Sequence, residues 1–165
     1  MGRLKPPENK PFRVLFVCVG NAIRSQMAEA FARKYGSDVI HARSCGIAPA
    51  STVMPLTRVI LSQRGIDIGD AYPKGLHLME EETFDYVINI SGTPLRVRGE
   101  TVLRDWKVAD PMGEGDARYE ETAGRIEQLV MQLILELRGK RRQAPVAETP
   151  VSPAFDVRML RRARG

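Results

Sequence analysis

One cysteine placed just ahead of an Arg-Ser pair sets the chemistry this chain can do. In Cys18-Val19-Gly20-Asn21-Ala22-Ile23-Arg24-Ser25 the thiol follows an apolar run over residues 12–17 and leads into Met27-Ala28-Glu29-Ala30-Phe31-Ala32. It therefore stands on a turn between a buried strand and a helix. A helix start presents unpaired backbone N–H groups and the positive end of the helix dipole, which bind an oxyanion and steady a thiolate. Gly20 and Asn21 tolerate the left-handed dihedrals of a tight loop. Arg24 offers a planar fork to two oxygens of a tetrahedral anion, and its charge favours the anionic sulfur. Ser25 can donate its hydroxyl to that sulfur. Together these residues make an oxyanion-binding nucleophile, with Cys18 attacking and Val19, Gly20, Asn21, Ala22, Ile23, Arg24 and Ser25 forming the binding loop.

The elements that hold such a loop follow from the pattern of apolar residues. Residues 13–17 are short, apolar and β-branched, as in a central strand covered on both faces. A helix over residues 25–35 places Met27, Ala28, Phe31 and Ala32 on one side and ends at Gly36. A second strand covers residues 39–45. Pro55 opens a helix that runs to Gly65, with Leu56, Val59, Ile60 and Gln63 at helical spacing. Residues 80–83 suit a short helix, and residues 86–90 a third buried strand. A fourth strand comes from residues 101–103 or 106–108 and ends near Asp110. The last helix is the clearest, with Ala123, Ile126, Val130, Leu133 and Leu137 marking one face. Strands separated by helices give right-handed crossovers and a parallel α/β sheet with helices on both faces, whose ligand binds at the carboxyl ends of the strands. Cys18, the triplet Ser44-Cys45-Gly46 and Asp110 then share one rim.

The stretch Val14-Leu15-Phe16-Val17-Cys18-Val19-Gly20-Asn21-Ala22-Ile23-Arg24-Ser25-Gln26-Met27-Ala28-Glu29-Ala30 resembles the signature of the low-molecular-weight protein tyrosine phosphatases and of the arsenate reductases that share their fold. Ser44-Cys45-Gly46 resembles that family's Ser-Ala-Gly, and Asp110-Pro111 its Asp-Pro, so the resemblance spans residues 12–138 in order. It implies a flavodoxin-like three-layer sandwich around a four-stranded parallel sheet of order 2-1-3-4. It also implies three catalytic residues, with Cys18 as nucleophile, Arg24 as the phosphoryl-holding cation and Asp110 as general acid and then base. The reaction implied is hydrolysis of phosphate monoesters, phosphotyrosine in proteins above all, through a cysteinyl-phosphate. Ile23 stands where several members carry a second cysteine, Gln26 where they carry proline, and Met112-Gly113 where phosphotyrosine-selective members have aromatics. The alternative activity is arsenate reduction. The thioredoxin-coupled reductases use two further cysteines beyond the third strand, where Ile90-Ser91-Gly92-Thr93-Pro94-Leu95 has none, so an external thiol is required. A non-catalytic phosphate-binding module is the third reading.

Composition limits the remaining classes. The chain has 165 residues and two cysteines, with neither a disulfide framework nor zinc spacing, which points to a reducing compartment and no metal or cofactor. Residues 1–11 read as a flexible extension, residues 12–138 as the one domain and residues 139–165 as a basic, proline-interrupted, disordered tail. Much of the net charge of +5 belongs to that tail. No run of residues is apolar enough to span a bilayer and the start lacks a secretion signal, so a cytoplasmic protein is expected. The partners expected are a phosphorylated protein or small phosphate ester and oxyanions such as phosphate or arsenate, with no nucleic acid; nothing in the sequence sets the oligomeric state. His41 and His77 read as structural, and Trp106, Tyr119, Tyr72 and Met112 as core or rim residues. Cys45 reads as a small buried thiol, with a reversible disulfide to oxidised Cys18 as the sharper possibility.

Overall fold

An unbroken apolar run from Val14 to Cys18, preceded by Phe12 and Arg13, makes Phe12–Cys18 the central strand, β1, of the computed structural model, which describes residues 10–143. Then follow α1 (Arg24–Gly36), β2 (Ile40–Gly46), α2 (Pro55–Gln63), a 3-10 turn (Leu76–Met79), β3 (Tyr86–Asn89), β4 (Val102–Asp105) and α3 (Asp116–Gln143). All strands are parallel in the order β2-β1-β3-β4. This is the α/β fold and strand order that the sequence implies.

Strand alternation divides the interior in two. Val14, Phe16 and Cys18 of β1, with Ala42, Tyr86 and Ile88, face the layer of three α-helices, where Phe31, Ile60, Leu61, Ile126, Ile134 and Leu137 are buried. Leu15, Val17, Cys45, Val87 and Met79 form a smaller cluster on the other face, packed against Ile47, Phe84, Leu95, Val97 and Leu103. The sequence pattern predicts helices on both faces; all three α-helices lie on the other one, and the layer here consists of the 3-10 turn and irregular connections. The link from β3 to β4 crosses as an extended strap, with Leu95 and Val97 inward and Arg96 and Arg98 exposed.

Four local expectations are corrected. The short helix expected over residues 80–83 forms instead at Leu76–Met79. Met79 is the residue that fills the second cluster, and Glu82 is drawn into ion pairs with Arg13 at 2.7 Å and Arg43 at 2.9 Å. The fourth strand is Val102–Asp105, which shares Val102 and Leu103 with the first of the two segments expected and ends well short of Asp110; the Trp106 N–H still donates to the Asn89 carbonyl at 2.8 Å, while its ring lies 5.9 Å from that of Phe16 between centroids. The start of the tail, residues 139–143, is helical rather than disordered. Lys140 reaches the Tyr86 hydroxyl at 2.7 Å, and Arg141 the Asp38 carbonyl at 2.5 Å, so basic side chains near the helix end find acceptors. The rest of the tail, and residues 1–9, lie outside the described residues. His41 is exposed on the outer edge of the sheet, so the structural role expected of it has no packing to support it.

Candidate active site

The strand-to-helix turn places Cys18 at the carboxyl end of β1 and Arg24 at the first turn of α1. Among the described residues, the loop amides of Val19 to Ile23 donate no backbone hydrogen bond. Ile23, at the head of α1, supplies no side-chain cap. The unpaired N–H groups of the helix start are thus left for a ligand. Loop carbonyls do the anchoring: those of Cys18, Val19, Gly20 and Ala22 accept from Ile47, Ala48, Ala50 and Met54. The segment after β2 thereby clamps the loop from outside while its amides stay free.

The sulfur of Cys18 lies 2.8 Å from Ser25 Oγ. Asn21 Nδ2 donates to that same oxygen at 2.8 Å, so the serine hydrogen is free to point at the sulfur, the orientation a thiolate accepts. Asn21 is fully buried with φ of 50°, a left-handed conformation held in place by its side chain. Its second amide hydrogen goes to Ser44 Oγ at 3.0 Å, and its Oδ1 accepts from Gln26 Nε2 at 3.1 Å and the Lys74 backbone N–H at 2.8 Å. Ser44 in turn donates to the buried carboxylate of Glu29, which Arg33 balances at 2.5 Å. Sequence reasoning valued Asn21 for its backbone alone and missed Gln26, Glu29 and Ser44 as supports. The Ser44-Cys45-Gly46 triplet was the available signal, and its meaning lies in Ser44 and Gly46.

Arg24 is buried and fixed. Its Nη1 donates to the carbonyls of Ile90 at 2.8 Å and Val108 at 3.0 Å, the first residues past β3 and the approach to Asp110. Its Nη2 meets Asp110 Oδ2 at 3.3 Å. Asp110 Oδ1 accepts the Met112 N–H at 3.1 Å, a turn that Pro111 permits. Cys18, Gly20, Ala22, Ile23, Arg24, Asp110 and Met112 line a pit of about 10 Å³, close to the room one water needs. Of the loop residues expected to bind substrate, Val19 turns its side chain outward, Asn21 and Ser25 act beneath the sulfur, and the rest line the pit.

Cys45 is directly paired with Val17, and successive residues of a strand point to opposite faces, so its thiol belongs to the cluster across the sheet from Cys18. Burial pushes it up to about 12. A disulfide between the two cysteines has no geometric support. Trp106 and Tyr119 pack in the core, Tyr72 is exposed, and only Met112 of that group reaches the pit. Among the described residues no group of three or more histidines, cysteines and carboxylates could hold a metal ion, and no helix is long and apolar enough to cross a membrane.

Residues 13–143 match the family model described as low molecular weight phosphotyrosine protein phosphatase. The glutaredoxin arsenate reductase of Synechocystis sp. is 31% identical over 129 residues, covering 76% of this chain and 98% of the relative. An arsenate reductase in its phosphate-binding state superposes with a TM-score of 0.69 at 29% identity, over 76% of this chain and 98% of that one. The low molecular weight protein tyrosine phosphatase of T. tengcongensis gives a TM-score of 0.64 at 27% identity, over 76% and 99%.

Proposed function

This chain belongs to the low molecular weight phosphotyrosine protein phosphatase family, and from that premise we propose that it reduces arsenate, with Cys18 as the attacking thiolate and an external thiol as reductant. The observation that carries the reading is the form of the pit: seven residues line it, none aromatic, around one sulfur and one fixed guanidinium. Such a site grips a free tetrahedral oxyanion and offers no wall to an aryl ring. The arsenate reductases among the relatives point the same way.

Cys18 Sγ forms a bond to arsenic, and one arsenate oxygen departs as water with a proton from the Asp110 carboxyl. The sulfur of an external thiol then attacks Sγ. The S–As bond breaks with its electron pair going to arsenic, which leaves as arsenite, and a mixed disulfide remains on Cys18. A second thiol equivalent frees Cys18 and leaves as the other half of a disulfide. Arg24 and the loop amides of residues 19–25 hold the charge that gathers on the oxygens, and donors of this kind contribute on the order of 3 kcal/mol each. Ser25 steadies the sulfur before attack and again when it is expelled.

Hydrolysis of phosphate monoesters, phosphotyrosine in proteins included, is a second reading favoured by a specific observation: among the described residues the only other thiol is across the sheet. A cysteinyl-phosphate is resolved by water, with Asp110 taking its proton, and needs no second thiol. Turnover separates the two. Arsenite formation that requires an added dithiol and vanishes in Cys18→Ser is the expected result. Nitrophenolate release from p-nitrophenyl phosphate with no arsenite would overturn it in favour of the hydrolase. Phosphate binding with neither turnover would leave a binding module.

A further inference from the structure

We propose that Asp110 is an internal occupant of the oxyanion cradle, a carboxylate plug that an incoming oxyanion has to displace from Arg24. The inference deepens the proposed function and rests on Cys18 and Arg24 forming that cradle.

The guanidinium cannot turn away from the carboxylate, because Nη1 is committed to two carbonyls at 2.8 and 3.0 Å. Its Nη2 edge is what remains for an anion, and Asp110 Oδ2 takes it at 3.3 Å. A carboxylate on a guanidinium satisfies the same geometry that a phosphate or arsenate would use. The cost of this pairing appears in the volume. With the pair closed, the pit that holds Cys18, Arg24 and Asp110 leaves about 10 Å³ for the centre of a water-sized body, close to the room one water needs. A tetrahedral oxyanion that takes the Nη2 edge has to displace the carboxylate from it.

The loop is built to let it move. Asp110 keeps 42% of its side chain exposed, against 6% for Arg24, so it has solvent to swing into while its partner stays fixed. Gly113 follows with φ of 78°, and neither it nor Gly115 has any atom within 4 Å of where a Cβ would stand. Only the Met112 N–H on Oδ1 ties the carboxylate to its own loop, at 3.1 Å, and that bond travels with the turn. Once displaced, the carboxyl stays beside the mouth of the pit, where the leaving oxygen emerges. The same residue thus guards the empty site and serves the filled one.

Inorganic phosphate is the probe, since neither proposed reaction consumes it, and its binding at pH 7 is read by titration calorimetry. If the plug is seated in about nine molecules of ten, Asp110→Asn binds phosphate about tenfold more tightly than the unsubstituted chain. Glu114→Gln removes a carboxylate from the same loop away from the pit and is expected to leave phosphate affinity unchanged. Access is read separately, by neutral iodoacetamide on Cys18 at a pH where the rate has stopped rising, so that ionisation no longer contributes. There Asp110→Ala alkylates several-fold faster. Equal phosphate affinity in Asp110→Asn and the unsubstituted chain overturns the plug, as does equal tightening by Glu114→Gln or an unchanged alkylation plateau. None of these readouts needs turnover: absence of both arsenite and nitrophenolate would sink the proposed function while leaving the plug standing.

Discussion

Gly46 shows how a residue with no side chain can govern a nucleophile. A Cβ added there would lie 2.6 Å from the Val19 carbonyl oxygen, 2.8 Å from the Asn21 nitrogen and 2.9 Å from the Gly20 carbonyl carbon, all backbone of the loop that carries Cys18. Backbone cannot rotate aside, so Gly46→Ala has to push the loop off its position, and displacements of this order cost about a hundredfold in rate. We expect kcat/KM to fall by about that factor, whichever oxyanion is the substrate, while Gly124→Ala in α3, where a Cβ meets nothing within 4 Å, leaves turnover unchanged. Equal activity in the two variants would show that the close approach is relaxed in solution. The two cysteines differ as sharply. Cys45 is buried across the sheet with its thiol pushed up to about 12, chiefly by burial, so at pH 8 it is protonated as well as hidden. Native protein at that pH should yield no more than one thiol to Ellman's reagent, that of Cys18, and two in denaturant; two under native conditions would mean that the second cluster opens.

At the scale of elements, α1 and α3 approach closely where Gly36 faces Ile134. A Cβ on Gly36 would stand 2.6 Å from Ile134 Cγ1 and 2.7 Å from Cδ1, and Ile134 is fully buried. Gly36→Ala should destabilise the fold by about 1–3 kcal/mol through overpacking. In an Ile134→Ala background that penalty should disappear, a coupling that urea denaturation of the four proteins measures. Additive effects would place the strain elsewhere. The same element pattern explains what the sequence made legible. β1, α1 and α3 were readable because each buries a regular set, such as Ala123, Ile126, Val130, Leu133 and Leu137, against the same layer. The Leu76–Met79 turn was misplaced, and β4 is undecided between two segments, because their positions depend on distant partners: Met79 seals a cluster built from β1, β2 and β3, and the Trp106 ring packs on Phe16. In the site, Cys18 and Arg24 announce themselves by type and spacing. Gln26, Ser44 and the Lys74 amide do not, because their work is to satisfy one buried asparagine from three separate segments.

The whole molecule is closed at its open edge by charge as well as by packing. β4 is the outermost strand, with Val102 exposed, and Arg104 ties it to α3 through a two-bonded pair with Glu136 at 2.7 and 2.6 Å. Lys140 adds a contact to Glu136 at 3.3 Å, and both cations lie over the Tyr86 ring at 5.2 Å. The Arg104 hydrogen bonds hold the Glu136 carboxyl down to about 2, against a usual 4.5. A carboxyl with a depressed folded value stabilises the fold above its unfolded value and loses that contribution as pH falls through the folded one. The window is therefore from about 4.5 down to about 2. Because the Glu136 side chain is more than a third exposed and that of Arg104 about a third, solvent screens the pair, and its worth is at most about 1 kcal/mol. Urea denaturation of the intact chain at pH 6 should find Glu136→Gln less stable than the unsubstituted protein by up to that amount. At pH 2 most of the gap should have closed, because the Glu136 carboxyl is then about half protonated in the folded chain and almost fully protonated in the unfolded one. A gap that persists in full at pH 2 would mean that Glu136 acts by shape, holding α3 against β4 without its charge.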